Sequence, residues 1–138
     1  MKKLLIALGC LISIFLLAAF QQQNNTPSQT PIGREFVWTG APEGVVVNLG
    51  FGGHENRFFG KAPVNRYFGF YDVTQNNLTL TDMGTTMMMG PEGLMEIEQQ
   101  YLKDLTSVKK YEFKDKQLYL ILDSGKKLIF NEVPAQFY

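Results

Sequence analysis

The chain has 138 residues with a 45% hydrophobic content, which is enough for one domain with its own core and hardly enough for two. Thirteen Lys and Arg balance thirteen Asp and Glu, so no net field exists to attract nucleic acid or an acidic membrane surface. A nucleic-acid partner is therefore not expected.

Residues 1–20, MKKLLIALGCLISIFLLAAF, place two lysines before an uncharged, mostly apolar run from Leu4 to Phe20, the layout of an export signal. The run is slightly short for a membrane span of roughly 20 residues, and Ala18 and Ala19 supply small residues near a cleavage point between Leu17 and Gln21. An uncleaved anchor is the alternative. Cys10, in ALGC, resembles the end of a lipobox and is a candidate lipidation position. However, the more apolar half of the segment follows Cys10, whereas a lipoprotein signal finishes its apolar region at the cysteine. With no second cysteine, an intramolecular disulfide is impossible. Residues 21–33 are mostly polar and carry no charge and read as a flexible linker, and 34–138 as the folded domain. The expected location is the periplasm or cell envelope, with membrane contact only through the N-terminal segment.

From Arg34 the chain alternates apolar and polar residues between glycine- and asparagine-rich turns, the signal of antiparallel strands. EFVW is a first strand. GVVVNLGF follows, with Val45, Val47 and Leu49 on one side and Val46 and Asn48 on the other. GGHE turns the chain into NRFFGK. NRYFGFYDV then sets Tyr67, Gly69 and Tyr71 against Phe68, Phe70 and Asp72, so both faces carry aromatic bulk, as in a central strand or one curled around a core. TQNN is a turn, and LTLTD continues the sheet.

One segment breaks the alternation. GPEGLMEIEQQYLKDLTSV spaces Leu94, Ile97, Tyr101, Leu105 and Val108 by three and four, the stripe of an amphipathic helix, with Pro91 suited to its first position and Glu92 to its positive end. KYEFK, QLYLIL and KKLIFNEV then form a meander. The expected fold class is α+β: an antiparallel sheet curled into a half-barrel around one helix, with a C-terminal three-stranded meander.

Three blocks in order resemble the META domain, also called the HslJ-like family of bacterial heat-shock and envelope proteins. In APVNRYFGFYD, the residues Asn65, Arg66, Tyr67, Gly69 and Tyr71 fit the family pattern, while Val64 stands where relatives carry a cysteine. In LTLTDMGTTMMMG, Thr86 and Met88 fit, and Gly90 stands at a second cysteine position. LMEIEQQYLKDL, with Glu98 at a family glutamate, and the final strands form the third block. The resemblance implies an envelope protein connected with stress or envelope integrity. Joint replacement of both cysteine positions implies that the segments around Asn65 and Met89 meet in space, with Val64 packing in place of a covalent link.

The candidates for chemistry are few. Asn65 reads as a local cap and Arg66 as an outward cation, the alternative being a small-anion or peptide site on Arg66. Met87, Met88 and Met89 suggest a soft copper site, against which the reading as filler of an irregular core is preferred. His54 beside Glu55 falls short of a zinc set. The scattered carboxylates form no catalytic pair, and GFGGHENRFFG lacks the helix and spacing of a phosphate loop. No cofactor is expected, and the chain reads as a non-enzymatic domain that binds an envelope protein or other partner. The alternative is a small-ligand carrier or enzyme in which His54, Arg66, Tyr67 and Tyr101 converge at the mouth of the curled sheet. A third option is recruitment of a strand at an exposed sheet edge.

Overall fold

The computed structural model describes residues 29–136. The predicted export segment with Cys10, most of the linker and the last two residues lie outside them. Eight strands follow in order: β1 (Glu35–Trp38), β2 (Asn48–Phe51), β3 (Arg57–Lys61), β4 (Arg66–Thr74), β5 (Asn77–Thr85), β6 (Val108–Lys114), β7 (Gln117–Leu122) and β8 (Lys127–Val133). One helix, α1 (Glu92–Thr106), lies between β5 and β6.

The sheet is a closed antiparallel barrel in strand order, not the expected half-barrel. β1 pairs with β8 over four rungs, from Glu35 opposite Val133 to Trp38 opposite Phe130. The two strands that would have been sheet edges therefore satisfy each other's backbone groups, which also removes the simplest surface for strand recruitment. The expected C-terminal meander is present as β6–β7–β8. The thinnest join is between β5 and β6, where Asn77 opposite Lys110 is the registered pair, supported by the Tyr111 amide donating to the Asn76 carbonyl at 3.0 Å.

Alternation decides what fills the barrel. In β4, Tyr67 and Tyr71 point inward on either side of Gly69, while Arg66, Phe68, Phe70 and Asp72 face solvent. The second face of this strand, expected to lie in a core, is thus an outer surface. Phe36, Leu49, Phe51, Phe58, Leu118, Leu120 and Phe130 complete an interior of interlocked side chains. Burying one such side chain contributes ~1.5–3 kcal/mol. An eight-stranded barrel is just wide enough to be filled in this way.

The helix closes one end. Its buried face is Glu98, Tyr101, Asp104 and Leu105, a stripe that keeps Tyr101 and Leu105 of the predicted set and adds two acidic residues. Leu94 and Ile97 are only half-buried. Tyr101 packs at ring-centroid distances of 4.9 Å from Trp38, 5.7 Å from Tyr67 and 6.5 Å from Phe130. Pro91 occupies the N-cap rather than the first helical position, and its carbonyl accepts from the Leu94 and Met95 amides, both at 3.0 Å. Asp104 accepts from Gln100 at 2.8 Å and from Lys126 at 2.5 Å, which ties the helix to the β7–β8 hairpin.

The opposite end is closed by Arg34. Its guanidinium pairs with Glu132 and lies 4.5 Å from the centre of the Phe113 ring. That bond from Arg34 holds the Glu132 carboxyl below its ordinary value. Sequence reading missed this latch, because the partners are 98 residues apart and nothing local pairs them.

Candidate functional site

The polar residues Asn65, Thr86 and Glu98 of the three blocks come together at the helix end of the barrel. β4 begins at Arg66 and β5 ends at Thr85, so the chain on either side, 64–66 and 86–90, runs side by side. The Thr86 amide donates to the Arg66 carbonyl at 3.0 Å, and the Arg66 amide to Thr86 Oγ1 at 3.1 Å.

Asn65 is the hub. Its Nδ2 donates to Glu98 Oε2 at 2.7 Å and to the Met88 carbonyl at 3.1 Å. Its Oδ1 accepts from the Met88 amide at 2.6 Å and from Thr86 Oγ1 at 2.9 Å. Glu98, reaching in from the helix, accepts at Oε1 from the Val64 and Asn65 amides at 2.9 and 2.6 Å. Glu98 is 3% exposed, and its two oxygens meet three N–H donors. Such saturation is what a buried carboxylate needs to offset lost hydration. Among the described residues no buried side-chain nitrogen or oxygen lacks a partner. The arrangement pins helix, β4 and the 86–90 segment together and leaves no polar atom of Asn65 free for a ligand.

Val64 and Gly90 lie in direct contact, so the segments around Asn65 and Met89 meet in space as expected. A Cβ placed on Gly90 would stand 2.6 Å from Val64 Cγ2 and 3.4 Å from Val64 Cβ. The valine methyls thus occupy the space that any Gly90 side chain would need. Gly69 has a similar role deeper in the wall, where a Cβ would meet the Phe58 ring at 2.5 Å and the Thr81 carbonyl at 2.6 Å.

The four residues expected at a common mouth do not converge. Tyr67 and Tyr101 do meet inside the barrel, their hydroxyls 2.6 Å apart. Tyr67 gives its proton to the Asn48 carbonyl at 2.6 Å, so Tyr101 donates to Tyr67. Burial pushes both phenols up, and in Tyr67 the neighbouring Tyr101 adds to the shift. Both hydroxyls stay neutral in ordinary buffers and serve as a chain of hydrogen bonds to the β2 backbone. Arg66 faces solvent, and His54 lies in an exposed turn between β2 and β3, at the other end of the barrel. Tyr71 donates to the Gly52 carbonyl at 2.5 Å.

The methionines also differ from expectation. Met87 and Met89 are 94% and 87% exposed and Met88 is 54% exposed, so they do not fill the core. β5 stops before them, and the Met88 peptide is held by Asn65 while all three side chains stand in water. Among the described residues, no group of three His, Cys, Asp or Glu is placed to hold a metal ion.

With this network in place, the META domain profile matches residues 35–135. The chain belongs to the META domain family. The Asn65–Thr86–Met88–Glu98 cluster therefore belongs to a META fold whose barrel and helix it joins. An NMR structure of a protein from Burkholderia xenovorans has the same fold, with a TM-score of 0.67 and 22% identity over 76% of this chain and 85% of that one. A second protein solved by NMR is similar at a TM-score of 0.57 and 21% identity over 72% of this chain and 88% of its own. No curated protein matches the chain in sequence.

Proposed function

We propose that this META domain is a non-enzymatic binding domain of the bacterial envelope, exported or anchored by its N-terminal segment and acting on envelope integrity or stress through a partner. The observation that carries the reading is the distribution of its side chains. Asn65, Glu98, the Thr86 hydroxyl and the Met88 peptide are spent on one another, and large apolar side chains stand exposed outside the fold, with Phe59, Phe68 and Phe70 on one face and Met87 and Met89 beyond β5. Exposed apolar groups that a monomer gathers rather than scatters are the usual mark of a binding surface. Tyr67 and Tyr101, the buried groups nearest to a reactive pair, are held neutral and bonded to each other.

Location is tested by the intact mass of the full chain recovered from membrane and soluble envelope fractions of a bacterial host. A soluble species cut between Leu17 and Gln21 supports a free envelope domain. A membrane species, either uncut or starting at an acylated Cys10, supports an anchored one. An uncut species confined to the cytosol would sink the envelope reading.

The second reading, a small-ligand site, cannot use the barrel mouth, because Tyr101, Trp38, Tyr67 and Phe130 fill it. A ligand must then sit on an outer face.

A further inference from the structure

β3 and β4 run antiparallel with Arg57 opposite Phe70, Phe59 opposite Phe68 and Lys61 opposite Arg66. All six side chains belong to the outward set of their strands, so they form three successive rungs on one face. The central rung is aromatic, with Phe59 44% and Phe68 53% exposed. Each ring lies over a glycine of the next strand: a Cβ on Gly50 would meet the Phe59 ring at 2.5 Å, and one on Gly84 the Phe68 ring at 2.6 Å. The rings are therefore supported from below and open above, a fixed platform rather than a pair of projecting wedges.

Packing of aromatics over glycines accounts for where the rings lie, but not for the rung beside them. Lys61 and Arg66 are directly opposed like charges, a pairing that destabilises a sheet. The ion pairs of the described residues are Arg34–Glu132, Arg57–Glu55 and Lys126–Asp104, and none neutralises this rung. Phe59, Phe68, Lys61 and Arg66 line a groove of about 620 Å³ that continues to Asn48 and Glu35. That volume is within the range of small-molecule sites, roughly 300–1,000 Å³.

We infer that the outer face of β3 and β4 binds a small anionic aromatic compound, its planar body on Phe59 and Phe68 and its carboxylate, sulfonate or phosphate between Lys61 and Arg66. An anion there relieves the repulsion of the two cations, and the guanidinium offers paired donors to its oxygens. The open ring faces supply offset stacking. A bilayer would ask for side chains that project and for a broad basic surface, whereas this face is concave and the chain has no net charge. The inference rests on the reading of the chain as a binding domain and is independent of its location.

The test is a fluorescence titration of the full chain with 1-anilinonaphthalene-8-sulfonate, alongside its neutral analogue N-phenyl-1-naphthylamine. The wild type is expected to bind the sulfonate saturably. Joint Lys61→Gln and Arg66→Gln substitution should weaken it roughly tenfold or more while leaving the neutral dye within about twofold. Phe59→Ser with Phe68→Ser should weaken both dyes. Dye taken up by the apolar N-terminal segment is common to every variant and does not enter the differences. The two glutamines lie at exposed positions and remove the like-charge repulsion, so the melting temperature should hold or rise, and their result is readable even if the serine variant fails to fold. Unchanged sulfonate affinity in the glutamine variant would overturn the assignment. So would amide shifts on dye addition that map away from β3 and β4. Binding of wild type to phosphatidylglycerol vesicles that the glutamine or serine substitutions abolish, without saturable binding of the sulfonate, would make the face a membrane surface and would equally overturn it. Failure here leaves the envelope reading standing, since that is decided by fractionation and mass.

Discussion

Cysteines placed at 64 and 90, in a Cys10→Ser background, should form a disulfide that the wild-type chain cannot make. A Cβ on Gly90 would lie 3.4 Å from that of Val64, slightly inside the usual disulfide separation of about 3.5–4.5 Å. The closest contact, at 2.6 Å, is to Val64 Cγ2, an atom that Val64→Cys removes. Gly90 is not among the positive-φ glycines, so its backbone accepts a side chain. The bridge would close a loop of about 27 residues, for which the chain-entropy relation gives ~3.5 kcal/mol. Engineered bridges deliver less, so an increase in melting temperature of about 10 °C on oxidation is the expectation, with each kcal/mol worth roughly 4–8 °C in a domain of this size. The reduced double variant should melt slightly below wild type, by about 1 kcal/mol, because a packed methyl has been lost. Thermal melts of the oxidised and reduced forms, with free-thiol counts on each, make the comparison within one sequence. If mild oxidant leaves both thiols free, or if both forms melt together, the contact between the two segments is not what holds this end of the barrel.

Three other outcomes follow from the same geometry. Glu98→Gln should destabilise by about 1–3 kcal/mol in urea unfolding, because an amide group would turn one N–H toward the donors that now converge on the carboxylate. Gly60→Ala and Gly93→Ala should have opposite signs. A Cβ at Gly60 would lie 2.1 Å from the Asn48 carbonyl and 2.6 Å from the Tyr67 hydroxyl, whereas Gly93, in the first turn of α1, has nothing within 4 Å and should gain up to ~1 kcal/mol. For the Arg34 latch, Glu132 is held below its ordinary carboxyl value of 4.5 chiefly by the bond from Arg34. Its contribution is complete above that value and is lost as pH falls through the lower folded value. The gap in melting temperature between wild type and Glu132→Gln should be present at about pH 6 and shrink by about pH 3; a constant gap would show that the pair is not linked to folding.

The alternation in NRYFGFYDV identified a strand and separated Tyr67 and Tyr71 from Phe68 and Phe70, and the three-and-four spacing identified α1 with Tyr101 and Leu105 on its inner side. The meander was equally legible, since 115–116 and 123–126 carry turn residues between short apolar runs. These are local signals, set by backbone period and turn chemistry within a few residues. The blocks containing Asn65, Thr86, Met88 and Glu98 were recognisable as a family pattern, but what they do was not. Their hydrogen bonds join residues 21 to 33 positions apart, and only the fold brings the helix against β4.

Tertiary structure alone decided the rest. Whether the curled sheet stays open or closes depends on β1 meeting β8, and that pairing links the two ends of the domain through register and strand tilt that no local pattern encodes. Closure in turn settled which face of each strand is interior. It buried Tyr67 against Tyr101, put Arg34 on Glu132, and left Phe59, Phe68, Lys61 and Arg66 outside as a groove. The sequence by itself determined the elements and their order, because periodicity and turn residues act along the chain; only the long-range pairing that closed the barrel could decide which side chains would face water.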